Sequence, residues 1–176
     1  MIVFDVEEQQ LSTTTDFDAL FETAYPSLVR ALTMACGDAE VAADAVQDAF
    51  VKAHLRWRRI STYDDPAGWV RRVAINRIND HFRREARGER ARRRMAPLHE
   101  DAAMPEPLPD LAGALRRLPP QQRLAMSLYY LNELSVAQVA SAMQLSEGAV
   151  KYHLHQGRAG LRPLIGDGSD QQAGMP

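Results

Sequence analysis

Five side chains between residues 69 and 83, Trp69, Arg72, Asn76, Asn79 and Arg83, recur at a spacing that puts them on one face of a single helix. Arginine neutralises phosphate, asparagine hydrogen-bonds base edges, and an indole ring accepts a stacked base. A duplex hides its base faces, so this mixture suits an unpaired or partly opened strand better than closed double helix. Opposite that face, Val70, Val73, Ala74, Ile78 and Phe82 form an apolar stripe, with Arg71 and Arg77 at its edges. The following "RREARGERARRR" extends the positive track. A plainer reading makes the arginines solvated and Trp69 a core residue; for Trp69 alone the two readings stand level.

A second set of side chains suits duplex DNA. Ser135 is placed to cap a helix running to Met143, with Val136, Val139, Ala140 and Met143 turned inward. After the turn "QLS", Ser146 caps the next helix with Glu147 in its first turn. There Val150, Leu154, Gly157 and Leu161 make the buried line, and Lys151, Tyr152, His155 and Arg158 face outward. Two short helices joined by a tight turn, with small Ala140 at the crossing, form a helix-turn-helix. Its second helix is shaped for the major groove, where polar side chains read base edges and basic ones hold phosphates. Gln144 stands where this turn usually has glycine, so a positive φ there costs on the order of 1 kcal/mol.

Nothing else in the chain has the spacing of a catalytic or metal site. His153 and His155 lie two apart on a helix and cannot converge on a metal as i, i+4 pairs do. Cys36 has no flanking base and reads as a core residue; as the lone cysteine it excludes an internal disulfide and fits a reducing cytoplasm. No Gly-rich phosphate loop occurs. The expectation is no enzyme, no cofactor and no metal.

These reading faces need elements to hold them. Over 176 residues the chain carries a net charge of −2, but the charge comes in blocks. Residues 1–50 hold ten acids and only Arg30 as a base; residues 51–94 hold Lys52 and thirteen arginines against five acids; residues 95–115 hold four acids and no base. Such alternation suggests a polyanion at one part of the chain and a different partner at another. Phe17, Leu20, Phe21, Leu28 and Leu32 predict a helix with Asp16 as its N-cap. Gly37-Asp38 breaks the chain before a helix over 39–57, whose Ala42, Val46, Ala49, Phe50, Ala53 and Trp57 share one stripe. Its other side shows Asp44, Gln47, Asp48 and Val51. With the helix opening at Trp69, these make an all-helical domain over 16–94, after a tail at 1–15. Residues 95–109 hold four prolines and read as an extended linker. Short helices over 111–118 and 121–131 then precede the helix-turn-helix in a second domain, 110–165, and 166–176 reads as a disordered tail. The fold class is thus all-α, two small helical domains joined by a linker, and that linker leaves the spacing of the two readers unfixed. No apolar run approaches the roughly 20 residues of a membrane span, and the acidic N-terminus argues against export.

In this order, an acidic amphipathic helix, "WVRRVAINRINDHFRR", a proline-rich linker and a C-terminal helix-turn-helix resemble bacterial RNA polymerase sigma factors of the extracytoplasmic-function group. The resemblance covers about residues 16–165. "DAEVAADAVQDAFVKAHLRW" is similar to the segment with which that family docks on the β′ clamp helices of core polymerase, which implies a polymerase-binding role for Asp44, Gln47, Asp48 and Phe50. The family's −10 segment opens the promoter and holds a flipped non-template base. Trp69, Asn76, Asp80, Arg83 and Arg84 match it, and Ser61, Thr62, Tyr63 and Asp64 fall where the family builds its base pocket. Asp80 apart, these together with Arg72 and Asn79 are the candidate −10 contacts. The C-terminal domain resembles the −35 reader, with Ser146, Glu147, Lys151, Tyr152, His155 and Arg158 as candidate contacts. The acidic linker, by the same resemblance, runs toward the RNA exit channel. The implied partners are core RNA polymerase, through β′ and β, promoter DNA and an anti-sigma factor, with no membrane. One rival remains: a stand-alone helix-turn-helix regulator with residues 16–94 as a sensor or dimerisation domain, which leaves the strand-reading face without a task.

Overall fold

A computed structural model describes residues 3–95 and 111–165, with side chains described over 16–92 and 111–164. The predicted linker and C-terminal tail therefore lie mostly outside the described residues. All regular structure among the described residues is α-helical.

Helix α1 spans Val3–Cys36, so it begins well before the predicted cap, and Asp16 lies inside it and caps nothing. Residues 3–15 contain neither glycine nor proline, and Glu7, Glu8, Gln9, Gln10 and Leu11 favour helix, so nothing stops the helix from extending. Its C-terminus is set by Gly37, whose φ of +80° takes the left-handed conformation open to glycine, with its N–H on the Thr33 carbonyl at 2.7 Å. Asp38 then caps α2 (Ala39–Leu55), its carboxylate accepting from the N–H groups of Glu40 and Val41.

The predicted helix over 39–57 is divided. After α2 the chain turns at Arg56 into the single-turn α3 (Trp57–Ile60), which carries Trp57 and Ile60 into the core. Helix α4 (Pro66–Met95) starts three residues before Trp69. Asp65 makes the start: its Oδ1 accepts the Gly68 N–H at 2.7 Å, and Pro66 supplies a preset φ without sacrificing a needed donor. Gly68 has no Cβ because the Asp65 carboxylate occupies that space.

The C-terminal half comprises α5 (Leu111–Arg116), α6 (Pro120–Tyr130), α7 (Val136–Met143) and α8 (Glu147–Ile165). Helix α5 ends at Arg116, two residues short of the expected Leu118, and Pro119 is the N-cap of α6, with Pro120 its first residue. Helix α7 has a full capping box, Ser135 with Gln138, and Ser146 accepts the Ala149 N–H at 3.1 Å to open α8. Gln144 adopts φ 57°, ψ 43°, so the turn keeps the left-handed conformation usual for glycine there despite its cost.

The core is continuous. Leu28, Leu32, Val46, Ile60, Val70 and Ile78 fill the N-terminal half, and Leu124, Leu128, Val139, Val150 and Leu154 fill the C-terminal half; all are essentially inaccessible. Truncating one of these leucines or isoleucines to alanine would cost about 2–5 kcal/mol. Helix α6 packs on α1 and α7 packs on α4, so the two halves meet along a seam. Arg30 Nη2 donates to the Leu131 carbonyl at 3.1 Å, and Asn132 Nδ2 to Ser27 Oγ at 3.0 Å. The Arg123 guanidinium lies 5.7 Å from the centre of the Phe82 ring, and burial lowers its pKa from the ordinary arginine value. The readers thus have a definite relation here, whereas the linker composition left their spacing open.

Candidate nucleic-acid interface

Helix α4 presents its two faces much as its period requires. Val70, Ala74, Ile78 and Phe82 are buried, with Val73 half-buried, and Arg72, Asn76 and Arg83 are exposed. Trp69 is half-buried and packs against the core, so its ring is partly structural and partly available. Arg71, at the stripe's edge, turns inward, its side chain 11% exposed and its Nη2 on Asp65 at 2.7 Å. That pair ties the base of α4 to its own cap. Arg83 pairs with Asp80 at 2.8 Å on the surface, a contact worth well under 1 kcal/mol and easily exchanged for phosphate.

Ile75 was not foreseen as a core residue, yet its exposure is 0%. It lies between Arg72 and Asn79 on one row of α4, and that row is covered by the C-terminal half. Arg72 Nη2 donates to Ser141 Oγ of α7 at 3.1 Å, and Gln121 Nε2 of α6 donates to Asn79 Oδ1 at 3.1 Å. Two of the five strand-reading candidates are therefore engaged along the seam, while Asn76 and Arg83 remain open. No short-range pattern announces this, because Gln121 and Ser141 lie 42 and 69 residues from their partners.

The loop before α4 keeps Thr62, Tyr63 and Asp64 exposed and Ser61 half-exposed. Thr62 Oγ1 donates to the Arg59 carbonyl at 2.8 Å, which holds the turn. Ser61 and Asp64 line a hollow of about 290 Å³ together with Trp57, Pro66 and Ala67.

The four α2 candidates fall on different surfaces. Asp44 and Gln47 are exposed, but Phe50 is buried at 3% with its ring edge-on to Phe17 and Phe21. Gln47 and Phe50 line an apolar groove of about 450 Å³ between α1 and α2, whose rim includes Phe21, Val51 and the largely exposed Leu55. Asp48 faces the other way. It accepts from Lys52 Nζ at 2.7 Å and lines a polar groove between α2 and α4, which also holds Asn76, Arg84 and Arg77. Sequence spacing left Arg77 without a role; the approach of α2 gives it surroundings.

On α8 the expected faces hold. Val150, Leu154, Gly157 and Leu161 are buried, and Ser146, Glu147, Lys151, Tyr152, His155 and Arg158 are exposed. Gly157 is needed there, since a Cβ would lie 2.7 Å from Met126 Cγ. Arg158 Nη1 donates to the Tyr130 hydroxyl at 3.2 Å, so it is partly oriented in advance. The rest of this face is open, in contrast to the seam side of α4. Among the described residues no group of histidine, cysteine and carboxylate side chains could hold a metal, and no helix is long and apolar enough to cross a membrane.

Comparison with known proteins fits both halves. Residues 20–88 match the model of Sigma-70 region 2, and residues 109–161 match that of Sigma-70, region 4. The chain is 32% identical over 152 residues to the ECF RNA polymerase sigma factor SigM of Mycobacterium tuberculosis, covering 85% of this chain and 77% of that protein. It is also 32% identical to SigF of Caulobacter vibrioides, covering 73% and 71%. In structure it is similar to the sigma factor RpoE of Bartonella quintana, solved with the anti-sigma factor NepR, at a TM-score of 0.66 and 21% identity over 85% of this chain and 96% of that one. CnrH, solved with the cytosolic domain of CnrY, gives a TM-score of 0.60 and 26% identity over 86% and 88%.

Proposed function

The chain belongs to the extracytoplasmic-function group of the sigma-70 family, and from that premise we propose how its surfaces divide the work of promoter-specific initiation. The protein joins core RNA polymerase and directs it to promoter DNA, acting as an initiation factor in the cytoplasm with no chemistry of its own. The observation that carries this reading is the pairing, in one chain, of an exposed duplex-reading face on α8 with a strand-reading strip on α4. A stand-alone regulator would use the first and leave the second idle.

Core polymerase docks through α2. The apolar α1–α2 groove, with Gln47 at its edge and Phe50 as its floor, suits an amphipathic helix of the β′ subunit; exposed Asp44 adds charge on α2, and Asp48 extends the docking surface onto the α2–α4 side. Lys151, Tyr152, His155 and Arg158 contact the −35 duplex, with Ser146 and Glu147 at the helix start. Asn76, Arg83 and Arg84 hold the −10 non-template strand, joined by Trp69, Arg72 and Asn79. The hollow beside Ser61–Asp64 takes an unstacked base.

This division has a geometric consequence. The −35 and −10 elements lie 25 base pairs apart by name, or about 85 Å at 3.4 Å per pair. Helices in contact sit only about 8–10 Å apart, so α8, one layer beyond α7, is about 20 Å from α4. The seam must open before both elements are read, and opening it releases Arg72 and Asn79. A protein partner can hold the packed state, as an anti-sigma factor would; the sigma factor RpoE of Bartonella quintana was solved with the anti-sigma factor NepR.

The direct test is gel filtration with bacterial core RNA polymerase, with and without Asp48→Arg. Co-elution weakened by the reversal is the expected result. Failure of the wild type to co-elute, with tight DNA binding alone, would instead support a stand-alone regulator.

A further inference from the structure

A cavity of about 260 Å³ lies where the two halves meet, and none of the surfaces assigned above uses it. Leu20, Leu28 and Val70 of the N-terminal half give it apolar walls, and Leu134, from the loop between α6 and α7, adds one from the C-terminal half. Its polar lining also comes from both halves: Arg71 from α4, and Asn132 from that loop. The volume falls just below the roughly 300–1,000 Å³ of ordinary ligand pockets, so it suits a one-ring molecule and not a nucleotide.

Two observations make it more than a packing gap. First, two polar atoms of its lining residues, Arg71 Nε and Asn132 Oδ1, are buried without a protein partner. Other atoms of the same side chains are engaged, Arg71 Nη2 with Asp65 at 2.7 Å and Asn132 Nδ2 with Ser27 Oγ at 3.0 Å. A buried polar atom left unmet is costly, and such atoms are few in folded proteins. Second, the loop that brings Asn132 and Leu134 to the cavity is held in an unusual shape. Glu133, between them, has φ 52°, the left-handed region that residues other than glycine seldom occupy. Strain of this kind persists where surrounding contacts over-determine it, and it clusters at ligand sites and switch regions.

The two atoms define the occupant. Arg71 Nε–H needs an acceptor, and Asn132 Oδ1 needs a donor. A primary amide or a hydroxyl carries both, whereas a carboxylate offers acceptors alone. The Arg71 charge is already matched by Asp65, so the site asks for a neutral head on an apolar body.

We propose that this cavity binds a small neutral molecule, one ring with an amide or hydroxyl head, between the two halves of the protein. Because both halves line the cavity, the molecule binds the packed arrangement and is released when the seam opens. It therefore acts as a brake on promoter reading; that consequence rests on the sigma-factor reading above, whereas the site itself does not.

The experiment titrates the full-length free protein with benzamide and with benzyl alcohol, following the methyl resonances of Leu28, Val70 and Leu134. Benzoate is the control, because its head brings no donor to Asn132 Oδ1. At least one neutral probe should saturate in the millimolar range or tighter, with benzoate weaker on the order of tenfold. Arg71→Lys keeps a charge beside Asp65 but removes the Nε–H, and should weaken the neutral probe on the order of tenfold. Ala24→Leu, which fills the cavity from α1, should abolish binding with helical content unchanged. With core polymerase added after the probe, promoter opening should fall on the order of tenfold at ten times the Kd, and the Ala24→Leu holoenzyme should not respond. Saturation by neither neutral probe would overturn the proposal and leave the two atoms to solvent. Saturable binding indifferent to both Arg71→Lys and Ala24→Leu would overturn it too, by placing the probe elsewhere. Unchanged promoter opening under a saturating probe would strike out the brake. Failure of the protein to co-elute with core polymerase is a separate result, which removes the sigma-factor reading and leaves the titrations of the free protein as they stand.

Discussion

Arg72, on the strand-reading strip of α4, donates to the hydroxyl of Ser141 on the first helix of the helix-turn-helix at 3.1 Å. One residue of the proposed −10 reader is thereby held by the proposed −35 reader. Gln121 and Asn79 repeat the relation one helix along, and Arg123 over Phe82 seals the end of the seam.

The seam should therefore be separable from the fold. Arg123→Ala combined with Gln121→Ala removes the cation–π contact, worth on the order of 1–2 kcal/mol, and a surface hydrogen bond. Small-angle scattering of the free protein should show a larger radius of gyration, while circular dichroism keeps its helical content. An unchanged radius would mean that the apolar seam around Ile75 holds without these polar contacts.

Asn76 gives the cleaner test of strand reading, because it is exposed and outside the seam, whereas Arg72→Ala perturbs both. Asn76→Ala should reduce promoter opening, followed by permanganate reactivity of unpaired thymines, by roughly tenfold, the worth of one base contact. Binding of the closed duplex should stay within about twofold. Equal loss of both would remove Asn76 from the strand-reading set.

Gln144 holds φ 57° between α7 and α8. Gln144→Gly relieves the left-handed strain, offset in part by the greater freedom of glycine when unfolded, for a gain of up to about 1 kcal/mol. The thermal midpoint should rise by about 2–4 °C for a chain of this size. A β-branched residue should move it the other way, and a fall with glycine would show that the turn is not strained.

Cys36 is 8% exposed and its thiol donates to the Asp38 carbonyl at 3.1 Å; burial raises its pKa above the ordinary thiol value. Neutral-pH alkylation should be slow in the native protein and fast in denaturant. The sign for stability follows from an acid whose folded pKa is raised. Its contribution is whole below the unfolded thiol's pKa, about 8.5, and is lost as pH rises from there through the folded value. Thermal midpoints should thus fall more steeply above about pH 8.5 for the wild type than for Cys36→Ala; parallel curves would show that the thiol titrates alike in both states.

Several features follow from short-range rules, which is why residue order alone determined them. The Ser135 and Ser146 caps, the Gly37-Asp38 break, the buried lines of α2 and α8 and the left-handed Gln144 each depend on residues within a turn or two. So does the pattern that identifies the family, since helical period decides which side chains can face DNA together. The start of α1 escaped because helix propensity without a cap does not mark a beginning. Tertiary structure decided the rest. The burial of Ile75, the engagement of Arg72 and Asn79, and the surroundings of Arg77 each depend on a helix distant in sequence. The packing of apolar flanks chose those neighbours, and no local spacing encodes which flank will meet which.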